Sequence, residues 1–190
     1  MKRITLFTIM LLCATTGVAR GATHTIDVAQ SHIAVFVYKS GLFAFAADNH
    51  VINAPIASGQ LDDPLTSVSF VVTASQLKVL DPSSSDNNRT QVQARMESPD
   101  VLDPAHFPTI EFKSTNISGS PTAGWDVSGQ LTLHGQTKPV KLHVTESAGH
   151  FKGSTTLKQT DYGIAPITIA GGTVKVKDDV RIEFDIVPGT

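Results

Sequence analysis

The sequence predicts an all-β, antiparallel domain with one short helix, preceded by an export signal. Three observations predict it. Apolar and polar residues alternate with period two in many short segments, turn residues separate those segments, and one stretch alone carries a helical spacing.

The chain begins with Lys2 and Arg3, followed by an apolar run from Ile4 to Leu12 and small residues from Ala14 to Ala22. That order reads as a secretory signal peptide over residues 1–22, which leaves one domain over residues 23–190. The apolar run falls short of the ~20 residues of a membrane-spanning helix, so no span is expected in the mature protein. Roughly 168 residues then remain, enough for a sizeable core. Cys13, the one cysteine, leaves with the signal, so the mature chain is expected to hold no disulfide, thiol nucleophile or Cys-bound metal. A net charge of −2 offers no basic face for nucleic acid or an anionic membrane. The expected location is periplasmic or secreted.

Taken in order, the first apolar segments are Ile33 to Tyr38 and Val51 to Leu61. Val68, Phe70 and Val72 share one face of the next. The polar run from Asp81 to Asn88 reads as a loop, after which Arg89 to Ser98 predicts a short helix. Val92 and Met96 lie four apart on it, Pro99 ends it, and Asp86, Asn87 or Asn88 would cap it. Ile110 and Phe112 oppose Glu111 and Lys113. Trp125, Val127, Gly129, Leu131 and Leu133 alternate with polar neighbours, as do Val140, Leu142 and Val144. Gly135 to Pro139 would join these two strands as a hairpin loop. Phe151, Gly153, Thr155 and Leu157 continue the pattern, and Val180, Ile182, Phe184 and Ile186 form the clearest strand. About eight strands result. One dry and one wet face suit both a two-sheet sandwich and a closed barrel, and periodicity does not choose between them.

Two segments carry a resemblance. Leu131 to Val140 (LTLHGQTKPV) and Ser98 to Thr115, with its Phe107-Pro108 pair leading into a strand, resemble the signature segments of the YceI-like family. Asp27 to Phe36 is similar to the opening strand of that family, and Leu157 to Ile164 to its late strand and turn. These matches run in family order over most of the mature chain. The resemblance implies an eight-stranded antiparallel, lipocalin-like barrel with one short side helix. It also implies a long-chain isoprenoid or other lipid as the partner, no cofactor, no catalytic role, and a leaning toward a homodimer. Ser40 to His50 departs from the basic, glycine-rich segment of typical members and is more apolar; it is expected near a barrel end, where it would shape what is bound.

On this basis the ligand-binding candidates are Phe36, Tyr38, Phe43, Phe45, Phe70, Phe112, Leu131, Leu133, Tyr162, Ile164 and Phe184. Sequence alone equally allows each to be plain core. Seven histidines invite a metal hypothesis, yet none form the short-spaced pair of a zinc helix. His134 and His143 read as surface residues on the wet face of one hairpin. With His143 opposite roughly Gln130, they stand more than ~10 Å apart at ~3.4 Å per residue. Asp48 and His50, two apart, could share a metal or orient a head group, or could simply form a turn. His106 reads as structural. No Ser lies in a G-x-S-x-G elbow, and Gly171-Gly172 does not open a helix, so no catalytic residue is expected. The first function is thus a carrier for a polyisoprenoid or similar lipid. The alternatives are a stress-related interaction protein acting through Phe43 and Phe45 on its outer face, and a metal-binding variant.

Overall fold

The computed structural model describes residues 22–40, 49–169 and 174–189. The expected signal peptide, apart from Ala22, therefore lies outside the described residues, as do Phe43, Phe45 and Asp48.

Among these residues twelve strands and one α-helix follow in chain order: β1 (Ala22–Thr25), β2 (His32–Ser40), β3 (His50–Asn53), β4 (Ile56–Asp63), β5 (Val68–Thr73), β6 (Lys78–Val79), α1 (Asp86–Met96), β7 (Thr109–Ser120), β8 (Gly124–Leu133), β9 (Gln136–Ser147), β10 (His150–Lys158), β11 (Thr168–Ile169) and β12 (Val174–Ile186). The protein is an all-β antiparallel curled sheet with one helix. Its strand order is β1-β4-β5-β7-β8-β9-β10-β12-β2-β3-β6, with β11 on β12. Twelve strands stand where about eight were expected, because four segments of two to four residues are too short to show a period of two.

The curl is held by its ends. β3 and β4 are separated only by Ala54 and Pro55, and β3 pairs with β2 whereas β4 pairs with β5. The backbone N–H of Ala54 donates to the Ile33 carbonyl at 2.9 Å. On the opposite side Ile26 bridges Pro188, and the Ile26 N–H donates to the Gly59 carbonyl at 2.9 Å. The two ends of the described chain thus tie the sheet together.

Two turns differ from expectation. The β8–β9 connection is only His134-Gly135, both at positive φ (50° and 70°), and Gln136 to Pro139 already belong to β9. Two-residue turns with both φ positive match the natural twist of a hairpin. The register therefore sets His143 opposite Asp126, not Gln130, whose partner is Pro139. Helix α1 begins three residues earlier than predicted. Ser85 caps it, its hydroxyl accepting from the Asn88 N–H at 3.3 Å. Met96 is buried and Val92 packs against the core, so the predicted helical face is the one that docks.

Bottom and top are defined by the strand ends: Asp63, Ser120 and Ser147 lie at the bottom, and His50, Thr109, Leu133 and Lys158 at the top. Helix α1 covers the top through Met96, which lines the interior beside Leu77 and Leu102. No helix among the described residues is long and apolar enough to cross a membrane.

Candidate functional site: an apolar interior with a polar upper rim

Every inward row of the sheet faces one interior, and that interior holds two adjacent chambers. The lower chamber, of about 80 Å³, is lined by Phe70, Phe112, Val127, Phe151 and Phe184 among others, and Thr155 is the sole polar residue in its wall. The upper chamber, of about 150 Å³, is lined by Ile33, Val35, Val37 and Ile52 on one side and Leu133, Tyr162 and Ile164 on the other. Lys158 and Gln159 join its wall at the top. Leu131, Leu157 and Ile182 line both chambers and so stand at the neck that divides them.

Close backbone approach shapes the lower chamber. The Phe112 ring lies over Gly129 on the neighbouring strand, where a Cβ would meet the ring at 2.5 Å. The Phe184 ring lies over Gly153 in the same way, at 2.6 Å. Phe112 then stacks on Phe70 with ring centroids 5.4 Å apart. Below them, Trp125 and Phe151 meet at 5.7 Å and close the floor.

Of the sequence candidates, Phe70, Phe112, Leu131 and Phe184 line the lower chamber, and Leu131, Leu133, Tyr162 and Ile164 the upper one. Phe36 and Tyr38 do not. Alternation in β2 turns Ile33, Val35 and Val37 inward, so Phe36 and Tyr38 fall on the outer face, where Phe36 pairs with Arg181 and Val51. Phe43 and Phe45 lie outside the described residues. The sequence reading missed Val35, Val37, Ile52, Val127 and Phe151 as wall residues; the alternation in β8 and β10 already carried the signal for Val127 and Phe151.

The polar groups gather at the top. His50 was expected beside Asp48, which is outside the described residues; the partner found is Asp81. The His50 Nδ1–H donates to Asp81 Oδ2 at 2.6 Å, and the Val51 N–H donates to Asp81 Oδ1 at 2.8 Å. The Asp81 side chain is 2% exposed and that of His50 25%. The Leu80 N–H donates to the Val51 carbonyl at 2.8 Å, so the Asp81 carboxylate takes the place of the next rung beyond the short β3–β6 ladder. Asp81 adopts φ +25°, a costly value for a residue with a Cβ. Its carbonyl accepts from the Ser84 N–H (2.9 Å) and from Arg89 Nη1 (3.4 Å), which holds it there.

His134 is half-buried rather than a wet-face residue, because it opens the β8–β9 turn. Its Nδ1–H donates to the Tyr162 carbonyl at 3.1 Å, its ring packs on Phe107 at 4.4 Å, and its buried Nε2 has no hydrogen-bond partner among the described residues. Tyr162 is itself buried; burial, and then the Asp161 charge, push its phenol up to about 12. His143 bonds Asp126 and His106 bonds Asp103, both on exposed surface. No cluster of three or more His, Cys, Asp or Glu among the described residues could hold a metal ion.

Several known proteins are similar to this chain. A UPF0312 protein of Vibrio cholerae is 31% identical over 124 residues, covering 59% of this chain and 64% of its own length. The chain thus spans less than two thirds of that relative. A UPF0312 protein of Vibrio parahaemolyticus is 26% identical over 175 residues, 86% of this chain and 82% of its own. Among solved structures, Burkholderia cenocepacia BcnA superposes with a TM-score of 0.61 at 17% identity, covering 86% of this chain and 99% of that one. A polyisoprenoid binding domain from Saccharophagus degradans, implicated in plant cell wall breakdown, superposes with a TM-score of 0.56 at 15% identity over 89% and 99%. Residues 24–187 match the YceI-like domain family from end to end of the curled sheet, and the chain belongs to that family.

Proposed function

We propose that this protein is an exported binding or carrier protein that holds a polyisoprenoid or similar long-chain lipid inside its sheet, in the periplasm or outside the cell, and catalyses no covalent step. Reading β3 and β4 as one bent strand, paired with β2 above and β5 below, makes the sheet an eight-stranded, lipocalin-like barrel with α1 at its side.

One observation carries this reading: the polarity of the interior rises from bottom to top. The lower wall is apolar apart from Thr155, whereas Lys158, Gln159 and Tyr162 appear only in the upper wall. A hydrocarbon tail pointing down and a polar end at the top match that gradient. Each buried methylene gains ~0.8 kcal/mol, from which the ordering of the chain is subtracted. The polyisoprenoid-binding neighbour from S. degradans supports the ligand class. The volumes add a condition. Upper and lower chambers, about 150 and 80 Å³, together fall short of the ~300 Å³ at which ordinary ligand pockets begin. A long chain must therefore part the neck at Leu131, Leu157 and Ile182.

Extraction and mass analysis of the purified protein is expected to release a long-chain lipid. Ile182→Phe, which fills the neck, is expected to weaken a C20 prenol at least tenfold while leaving a C8 alcohol within about twofold, read by displacement of a fluorescent apolar probe. Protein that carries no lipid and binds neither alcohol overturns the reading.

A further inference from the structure

We infer that His50, oriented by Asp81, receives the polar end of the bound lipid, and that the end it selects is a neutral hydroxyl rather than an acid. This rests on the lipid reading above and adds the chemistry of the head group.

The placement comes from register. His50 is the cross-strand partner of Val37 and lies two residues from Ile52, and both of those line the upper chamber. Cross-strand partners share a face, so His50 stands on the cavity face at the top of β3. The orientation comes from Asp81. Its carboxylate is 2% exposed and can only accept, and it takes the hydrogen on His50 Nδ1 at 2.6 Å. On the neutral ring, Nδ1 as the donor leaves Nε2 to present a lone pair. His50 is a quarter exposed, and no hydrogen bond to Nε2 occurs among the described residues.

The Asp81 anchor is over-determined in a way a purely structural loop does not need. Its backbone is held at φ +25° while both carboxylate oxygens are used, one for the Val51 N–H and one for the imidazole. Backbone strain of this kind is stored where a group must be held in one pose. Choice of head group follows from charge. Behind a neutral imidazole, a buried carboxylate disfavours a second anion in front of it, whereas a hydroxyl can donate to Nε2 without bringing charge. The other upper-end imidazoles cannot fill this role: the Nε2 of His134 is buried with its ring packed against Phe107, and His106 bonds Asp103 on the exposed surface.

The test compares three C20 probes with one chain: geranylgeraniol, its methyl ether and geranylgeranoate. The unmodified protein is expected to bind the alcohol about fivefold more tightly than the ether, and to bind the acid weakest. His50→Leu should bring alcohol and ether to equal affinity while the ether itself binds as before. Asp81→Asn keeps a residue that tolerates positive φ and should reduce the alcohol preference by freeing the ring. His50→Gln, which restores an acceptor oxygen, should recover part of it. If His50→Leu lowers the melting temperature yet keeps the alcohol-to-ether ratio, the residue is structural and the inference fails. Equal binding of all three probes by the unmodified protein also overturns it while leaving the lipid reading intact; binding of none overturns both.

Discussion

The two halves of this molecule are built on different principles. The bottom is closed by large buried side chains in mutual contact: Trp125 against Phe151, with Leu61, Val127 and Ile186 each 5% exposed or less. The top holds a buried carboxylate at positive φ, a buried imidazole nitrogen with no partner, and charged or polar side chains in the cavity wall. Positive φ occurs at both ends, at Ala148 below as at His134 and Asp81 above, but the buried carboxylate and the unpartnered imidazole nitrogen of the described residues lie at the top. Natural proteins concentrate such groups where function requires them, so the bottom reads as the source of stability and the top as the end where the polar end of the proposed ligand would lie.

The largest expected effect tests the bottom half. Phe151→Ala removes one partner of the floor pair and should cost about 3–5 kcal/mol, seen as a lower denaturant midpoint with an unchanged slope. Loss of less than about 1 kcal/mol would mean that the floor is not where the stability lies. A smaller effect is expected at the level between the halves. Gly129→Ala places a methyl where the Phe112 ring lies at 2.5 Å. The ring must swing into the lower chamber, so about 1–3 kcal/mol of stability should be lost together with chain binding. Unaltered binding of the C20 alcohol would show that the lower chamber does not take the tail.

The same contrast explains what could be read from the sequence. Strands whose outer face is polar announced both their existence and their phase: in β8 and β12, every second residue is charged, hydroxylated or an amide, and inward residues followed directly. β2 did not, because Ile33 to Val37 is apolar on both faces. Its phase is set only by its ladders with β12 and β3, which is why Phe36 and Tyr38 were assigned inward and are found outward. The helix was legible from Val92 and Met96, but its start was not, since Ser85 competes with several good caps that follow it. The upper site was half legible. His50 stood out, yet its partner lies 31 residues away in a polar loop, and only the β3–β6 pairing brings Asp81 to it. His134-Gly135 was obscured because a hairpin turn with histidine at its first position carries none of the usual Asn or Asp signals.

The smallest expected effect sharpens the top half through Tyr162. Its phenol is pushed up to about 12, by burial first and by Asp161 second, so folding favours the neutral form. A group whose folded value lies above its unfolded value, near 10, contributes its full stability below that unfolded value and loses it as pH rises through the folded one. The protein should therefore lose stability between about pH 10 and 12 in part through this residue. Tyr162→Phe keeps the apolar ring in the upper wall, so at pH 7 its melting temperature should stay within a few degrees of the unmodified protein. Above pH 10 the variant should fall less steeply, and the two curves should converge or cross. Parallel curves across that window would show that the Tyr162 phenol ionises without opposing the fold. The upper wall would then be wetter at this point than the burial of Tyr162 implies, and the polar end of a bound chain would meet water there as well as the His50 imidazole.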